Sequence, residues 1–407
     1  MLKQVEGSAA VAEAIALCRP QVICAYPISP QTHIVEALGR RVDAGQLAPC
    51  EFVNVESEFA AMSVAIGASA TGARAYTATA SQGLLFMAEA VYNAAGLGLP
   101  IVMTVANRAI GAPINIWNDH SDSMSMRDAG WIQLYALTNQ EALDLHIQAF
   151  RLAEELSCPV MVCMDGFILT HAYERVDMPT QKQVDALLPR YEPRQILDPA
   201  DPVSIGALVG PEAFTEVRYL SHHKQLRALG LIPQLAAEFN KQFGRDSGGL
   251  IRPYRTEDAE TIVVALGSVN GTIQEVVDEM RESVRIIEQC LDQMPEGPFQ
   301  VDMPTIAFPV DKDRVHCSME ALIQHFDLSA YGFKVPPGEV YSAIEAPKGE
   351  LGFYIISDGS PKPFRMKVRA PSFVNLQGLF GVRNANYLAD MIAVLGSLDP
   401  VIAEVDK

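Results

Sequence analysis

Hydrophobic and polar positions alternate between two periods along the first 165 or so residues, and the alternation predicts repeated strand–helix pairs. Residues 1–20 (MLKQVEGSAAVAEAIALCRP) read as an amphipathic helix that is Ala-rich from Ser8 to Leu17. Short apolar runs that end at polar turns predict strands at Gln21–Ala25, Phe52–Val55, Ala75–Ala80, Pro100–Ala106 and Pro159–Met164. Helical periodicity predicts helices at Thr32–Val42, Glu58–Ala70, Leu84–Ala95 and Glu141–Leu156. Near-continuous apolar strands are those of a parallel sheet covered on both faces, so the predicted fold is α/β and doubly wound.

Beyond this region the pattern loosens. Residues 178–210 are Pro-rich and irregular, as expected of a segment that wraps over the sheet or a partner. A helix is predicted at His222–Phe243, then a strand at Thr261–Gly267 (TIVVALG) leading into another helix. The strands that would complete a second sheet do not follow. Instead come Pro-rich turns to Pro309, a helix at Ser318–Phe326, and two strands, Gly352–Ser357 and Phe364–Arg369, flanking the hairpin signal Asp358-Gly359-Ser360. A last helix is predicted at Asn384–Leu395.

Composition narrows the function classes. The chain has 407 residues, enough for two or three domains, and its 49% hydrophobic content is that of a folded protein. A net charge of −18 argues against nucleic acid or an anionic membrane as main partner. The seven scattered cysteines form no C-x-x-C pair, which argues against a disulfide framework, a zinc motif or a cysteine-bound cluster; buried structural thiols are expected. No basic, apolar and cleavage-site sequence opens the chain and no apolar run reaches membrane-span length, so a cytoplasmic protein is expected.

In a parallel α/β sheet, ligands bind beyond the carboxyl ends of the strands. Four polar loops fall there: Tyr26 to Gln31, Val55 to Glu58, Thr79 to Gly83, and Asn107 to Pro113 running on to Asp122. Singly, each has a plain structural explanation. Ser29 and Ser81 are possible helix caps, Glu58 suits a helix N-terminus, Arg108 suits a surface, and His120 suits a hydrogen-bonded loop.

The segments AYPISPQTHIVEAL, NVESEFAAMSVAIGASATGARAYTATASQGL, ANRAIGAPINIWNDHSDSMSMRDAGW and PVMVCMDGFILTH resemble the alpha subunit of the 2-oxoacid:ferredoxin oxidoreductases, most closely the pyruvate branch. The resemblance runs from residue 1 to about 282. It implies the pyrimidine-binding domain of a thiamine diphosphate site shared with a beta chain, which would hold the diphosphate and Mg2+. Glu58 matches the glutamate that hydrogen-bonds the aminopyrimidine ring. Arg108 matches the arginine that pairs with the substrate carboxylate, a task its planar fork suits. Ser29 stands where Thr is usual and keeps the hydroxyl. Ser81, Gln82, Asn107 and His120 are the further candidate cofactor-binding positions. Iron–sulfur clusters and coenzyme A would come with the gamma- and delta-type partner subunits, and ferredoxin or flavodoxin would take the electrons.

Residues 283–407 resemble something else. VRIIEQCLDQMPEGP, SMEALIQHF, GFKVPPGEVYSAIEAPKGELGFYIISDGSPKPFRMKVRAPSF and LADMIAVLGSLDPVIAEVDK are similar to the C-terminal third of the 49-kilodalton-type (D-type) subunit of NADH-quinone oxidoreductase, complex I. The related hydrogenases carry D-P-C-x-x-C where this chain has Asp399-Pro400-Val401-Ile402-Ala403-Glu404, so no nickel site is implied. The organisation expected is a pyrimidine-binding domain with its Pro-rich wrap over 1–250, the first βα unit of a truncated second domain over 251–282, and an α+β tail over 283–407. The leading expectation is an enzyme subunit inactive by itself. Beside it stand a structural piece of the quinone-reducing complex, bound to its peripheral-arm subunits through the tail at the membrane, and a chimeric join that belongs to neither assembly.

Overall fold

The structure is a computed structural model, and it describes residues 2–297, 307, 312–378, 394–398 and 400–405. Backbone contacts divide the chain into two compact units, 1–289 and 290–407.

The first unit begins with β1 (Leu2–Glu6), not with helix: the amphipathic helix expected from residue 1 starts only at α1 (Gly7–Leu17). Then follow β2 (Val22–Ala25), α2 (Thr32–Asp43), β3 (Glu51–Asn54), α3 (Glu58–Ala70), β4 (Ala75–Thr79), α4 (Ser81–Phe86), α5 (Ala88–Leu97) and β5 (Val102–Asn107). The expected single helix Leu84–Ala95 is broken at Met87, whose φ of −92° and ψ of 8° leave the helical well. The run continues with α6 (Ser121–Ser125), β6 (Ile132–Tyr135), α7 (Asn139–Leu156), β7 (Val160–Asp165) and β8 (Tyr173–Asp177). Strands β1, β6 and β8 were not legible as strands, being short and half polar.

Six strands form one parallel sheet in the order β3-β2-β4-β5-β7-β6. β1 and β8 make a separate antiparallel pair, Leu2 opposite Asp177 and Glu6 opposite Tyr173. The apolar runs of β4, β5 and β7 take the central places and are buried throughout, whereas β3, at the edge, is not. One core, centred on Ile15, Ile34, Leu38 and Phe150, lies under α1, α2 and α7; another, with Met62, Val91 and Trp131, lies under α3 and α5. The fold is therefore a doubly wound parallel α/β sheet. A buried chain of hydroxyls and imidazole, Tyr76 Oη to Thr104 Oγ1 (2.6 Å) to His146 Nε2 (2.6 Å), joins sheet to α7. Burial lowers the His146 pKa to about 4.

The Pro-rich segment contains one helix that sequence did not suggest, α8 (Gln181–Leu187), started by a Thr180–Gln183 capping box. The rest is tied down by backbone and arginine contacts. Arg74 is paired with Glu154 at 2.5 Å and donates to Cys18 O (2.5 Å) and Pro189 O (3.0 Å), and Leu197 N donates to Ala70 O at 2.9 Å. α9 (Phe214–Phe243) begins eight residues before the expected start at His222; only its later part, with Leu235 and Phe239, is buried.

The expected strand Thr261–Gly267 is not a strand. Val263 and Val264 are 72% and 86% exposed, and no described residue pairs with the segment. An isolated strand leaves its backbone donors and acceptors without a ladder, so β-propensity by itself does not make it one. Val264→Lys is accordingly expected to change the stability of the chain by no more than about 0.5 kcal/mol, the range of an ordinary surface substitution. Thermal melting checks this; a fall of several degrees would show that the segment is packed.

α10 (Val269–Asp292) runs unbroken through the place where the two sequence resemblances meet, with none of its residues buried. In the second unit, α11 (Lys312–Cys317) and α12 (Met319–Ala330) precede an antiparallel meander of β9 (Gly338–Ala346), β10 (Gly349–Ser357) and β11 (Arg365–Arg369), and α13 (Pro371–Asn375) follows. The hairpin at Asp358-Gly359-Ser360 forms as expected, with Gly359 at φ 93°. β9 was missed among Gly and Pro signals. Few side chains in this unit are buried: among its described apolar residues Ala321, Ala370 and Pro371 are. The predicted helix Asn384–Leu395 lies almost wholly outside the described residues, as does Asp399. Cys18, Cys24, Cys158 and Cys163 are buried, but Cys50 is half-buried and Cys290 and Cys317 are exposed, so the expectation of seven buried thiols fails for three.

Candidate active site

The order of the sheet locates the site. From β2 the chain moves outward to β3, and from β4 it moves the other way to β5, so the loops after β2 and β4 diverge at the sheet's carboxyl edge. Such a switch point opens a crevice for ligands. All four polar loops end at this edge.

Glu58 is the first helical residue of α3. Ser57 precedes it as N-cap, its Oγ accepting from Ala60 N at 3.2 Å, so the carboxylate lies in the positive first turn. It is 8% exposed and forms no hydrogen bond or ion pair with a described residue. Gly83 lies against it: a Cβ there would stand 2.7 Å from Glu58 Oε1 and 2.6 Å from Thr79 Oγ1. The carboxylate thus borders a cradle kept open by a glycine.

Ser81 has φ 50°, in the left-handed region that a serine rarely adopts. It is held there by its N–H to Asp122 Oδ2 (2.9 Å) and its Oγ to Ala109 O (2.5 Å). Gln82 Oε1 accepts from Arg108 Nη2 at 2.6 Å and from Ser81 Oγ, and Arg108 Nη1 donates to Ser29 O at 2.7 Å. Ser29, Ser81, Gln82 and Arg108 are thus one connected group. Neither serine caps a helix: the N-caps of α2 and α4 are Gln31 and Ala80. The Ser29 side chain is exposed, and it is the carbonyl that meets the arginine. Arg108 is buried, not a surface residue; burial lowers its pKa against the opposing pull of Asp122. Its Nε, Asn107 Oδ1, Thr79 Oγ1 and Gln31 Oε1 are buried polar atoms without a partner in the structure.

The residue that organises these loops was not singled out from sequence. Asp122, fully buried, accepts from Ser81 N (2.9 Å), Arg108 N (3.0 Å), Asn107 Nδ2 (2.8 Å) and Ser123 N (2.7 Å). Burial pushes its carboxyl up, and the four donors pull it back in part. An aspartate within a polar loop carries no spacing signal of such a role.

His120 Nε2 lies 2.7 Å from Asp165 Oδ1, and Asp165 Oδ2 accepts from Ser268 N (2.8 Å) and Ser268 Oγ (2.5 Å). The hydrogen bond to Asp165 raises the His120 pKa against burial. For Asp165, burial acts upward, and the bonds from His120 and Ser268 bring the net shift down. The pair therefore stabilises the fold fully below the ordinary imidazole range, and the contribution is lost as pH rises through the raised His120 value. His120→Gln is expected to cost about 1 to 3 kcal/mol at about pH 6 and progressively less toward about pH 9. Paired melting curves over that range test it; a difference that does not change with pH would show that folding leaves the His120 pKa unshifted.

Buried, strained and incompletely paired groups thus meet at the switch point of a doubly wound α/β sheet, the place where proteins of this architecture take their ligands. The comparisons identify it further. The family described as "Pyruvate flavodoxin/ferredoxin oxidoreductase, thiamine diP-bdg" matches residues 13–235, and the chain belongs to this family. Pyruvate synthase subunit PorA of Methanosarcina barkeri is 53% identical over 279 residues, 68% of this chain and 69% of that protein. PorA of Methanothermobacter thermautotrophicus is 48% identical over 289 residues, 70% of this chain and 75% of that protein. A 2-oxoglutarate:ferredoxin oxidoreductase from Magnetococcus marinus shares the fold, with a TM-score of 0.50 and 19% identity, over 56% of this chain and 45% of that one.

The rest of the chain has other relatives. The family "Respiratory-chain NADH dehydrogenase, 49 Kd subunit" matches residues 253–407. A D-type subunit of the NADH-quinone oxidoreductase of Rhizobium etli is 93% identical over 131 residues, 32% of this chain and 32% of that protein. The chain thus spans about a third of the length of these relatives. Among the described residues no helix is long and apolar enough to cross a membrane.

Proposed function

We propose that this chain is the alpha-type subunit of a pyruvate:ferredoxin or flavodoxin oxidoreductase, which converts pyruvate and coenzyme A reversibly to acetyl-CoA and CO2. The observation that carries the reading is Glu58: a buried residue whose carboxylate has no hydrogen-bond partner among the described residues, beside Gly83, at the sheet's switch point. The site fits the aminopyrimidine half of thiamine diphosphate, because the crevice offers a carboxylate and several unpaired buried polar atoms where a polar ring would lie. When bound, that cofactor supplies a stabilised carbanion equivalent for cleavage next to a carbonyl.

The chain's own residues bind, orient and hold protons. Glu58 accepts a hydrogen bond from a ring nitrogen and thereby sets which nitrogen is free to act as base. Arg108 has N–H groups beyond those given to Ser29 and Gln82, and these receive the substrate carboxylate. Ser29 offers its exposed hydroxyl to substrate. Ser81, Gln82, Asn107 and His120 would border the cofactor, and Asp122 keeps their loops in register. A beta chain would supply the diphosphate and Mg2+ half, and gamma- and delta-type chains the clusters that remove electrons one at a time. The chain is inactive without them, and it is cytoplasmic.

The test is reconstitution of the full chain with beta, gamma and delta chains of a PorA-containing enzyme, followed by pyruvate-dependent, CoA-dependent reduction of ferredoxin with and without thiamine diphosphate. Turnover that ignores thiamine diphosphate overturns the reading.

A second reading concerns only the tail, on its 93% identity to a D-type subunit of complex I. As a fragment with few buried side chains it would serve as a structural element against peripheral-arm subunits. Co-purification of the chain with such subunits, lost when residues 290–407 are deleted, tests it.

A further inference from the structure

We propose that Glu6, His33 and His171 form a binding site for a divalent transition-metal ion of the zinc class. No spacing in the sequence suggests it, because the residues come from three separate segments. Glu6 closes β1, His33 lies in the first turn of α2, and His171 lies in the turn between β7 and β8. One ligand atom from each is within 4.8 Å of the other two. A tetrahedral zinc ion holds its nitrogen and oxygen ligands about 3.3 Å apart, so the group needs only a small closure.

Two of the three ligands are already aimed at each other: His33 Nδ1 is 2.6 Å from Glu6 Oε1. The third is held from behind. His171 Nδ1 lies 2.7 Å from Thr170 Oγ1, and that oxygen also accepts from Phe167 N at 2.9 Å. The His171 ring stacks on Phe167 with centroids 4.2 Å apart, and Phe167 itself takes a φ of 57°. A hydroxyl on one imidazole nitrogen leaves the other for a metal, the usual arrangement behind a ligating histidine. The two imidazoles are neighbours, with ring centroids 4.6 Å apart.

Two imidazoles and one carboxylate select zinc-class ions over magnesium and calcium, which take mainly oxygen. His33 is exposed, so an ion reaches the site from solvent, and a fourth position is left for water or another ligand. This inference does not rest on the proposed function, and its test needs no partner chain.

The experiment is equilibrium dialysis of the chelator-treated full-length chain against Zn2+ with excess Mg2+ present. The exposed thiols Cys290 and Cys317 are changed to Ser to remove competing ligands. One zinc per chain is expected, weakened at least about tenfold by His33→Gln or His171→Gln and about tenfold by Thr170→Val. Far-UV circular dichroism verifies that each variant is folded, and His33, being exposed, is changed without disturbing a core. Co2+ in place of zinc is expected to give visible bands of a nitrogen and oxygen site without a thiolate charge-transfer band. Absence of zinc binding in the parent, or equal binding in the folded His33→Gln variant, overturns the proposal.

Discussion

Glu58→Ala, reconstituted with the partner chains, is expected to lower turnover by about a hundredfold to ten-thousandfold, the usual contribution of a positioned acid–base group. The fold should not suffer. The Glu58 carboxylate has no hydrogen-bond partner among the described residues, so its removal leaves no donor unpaired. Melting temperature should stay nearly the same, lowered at most slightly by the loss of a favourable charge in the first turn of α3. The combination is diagnostic. Unchanged turnover would remove Glu58 from the mechanism, and a large loss of stability would show that the carboxylate is a structural group. Glu58→Gln separates the two properties further, since the amide keeps the shape and one acceptor but holds no negative charge.

Asp122→Ala should do the opposite: it should damage the fold before it damages chemistry. Removal of this carboxylate leaves three backbone N–H groups and the Asn107 amide without their acceptor in a buried place. Each buried donor left unpaired costs about 1 to 3 kcal/mol, and with partial relaxation the total is expected at roughly 4 kcal/mol or more. That corresponds to a fall in melting temperature of about 10 °C. Ser81 would lose the bond that holds its positive φ, and Arg108 would lose its backbone anchor, so both loops move together. A melting temperature within a degree of the parent would show that water replaces the carboxylate and that Asp122 does not organise the site.

The two predictions differ because the site has two kinds of carboxylate. Glu58 is buried with no hydrogen-bond partner among the described residues, and Asp122 is buried with four donors. One is poised for a ligand and the other is spent on the scaffold. The motif resemblance picked out Glu58, but residue type and local pattern alone do not distinguish the two, since both are acidic residues in a polar loop near a helix start.

What the sequence determined was local or periodic. The apolar runs of β2, β4, β5 and β7 and the helices between them were legible, because a parallel sheet covered on both faces needs unbroken hydrophobic strands. The four strand-end loops followed from that, and the motif resemblance in those loops offered Glu58, Arg108, Ser29, Ser81, Gln82, Asn107 and His120 as candidates. The join of two resemblances within α10 was also visible in the motifs on either side of residue 282. What only tertiary structure decided was pairing. TIVVALG has the composition of a strand yet is not one, because a strand needs neighbours to satisfy its backbone. The role of Asp122, the strained backbone of Ser81, the contact of Ser268 with Asp165 and the meeting of Glu6, His33 and His171 all join residues far apart in the chain. Periodicity records which face of an element is buried, whereas hydrogen bonds between loops depend on where the sheet brings their ends, and that is settled only when the strands are in order.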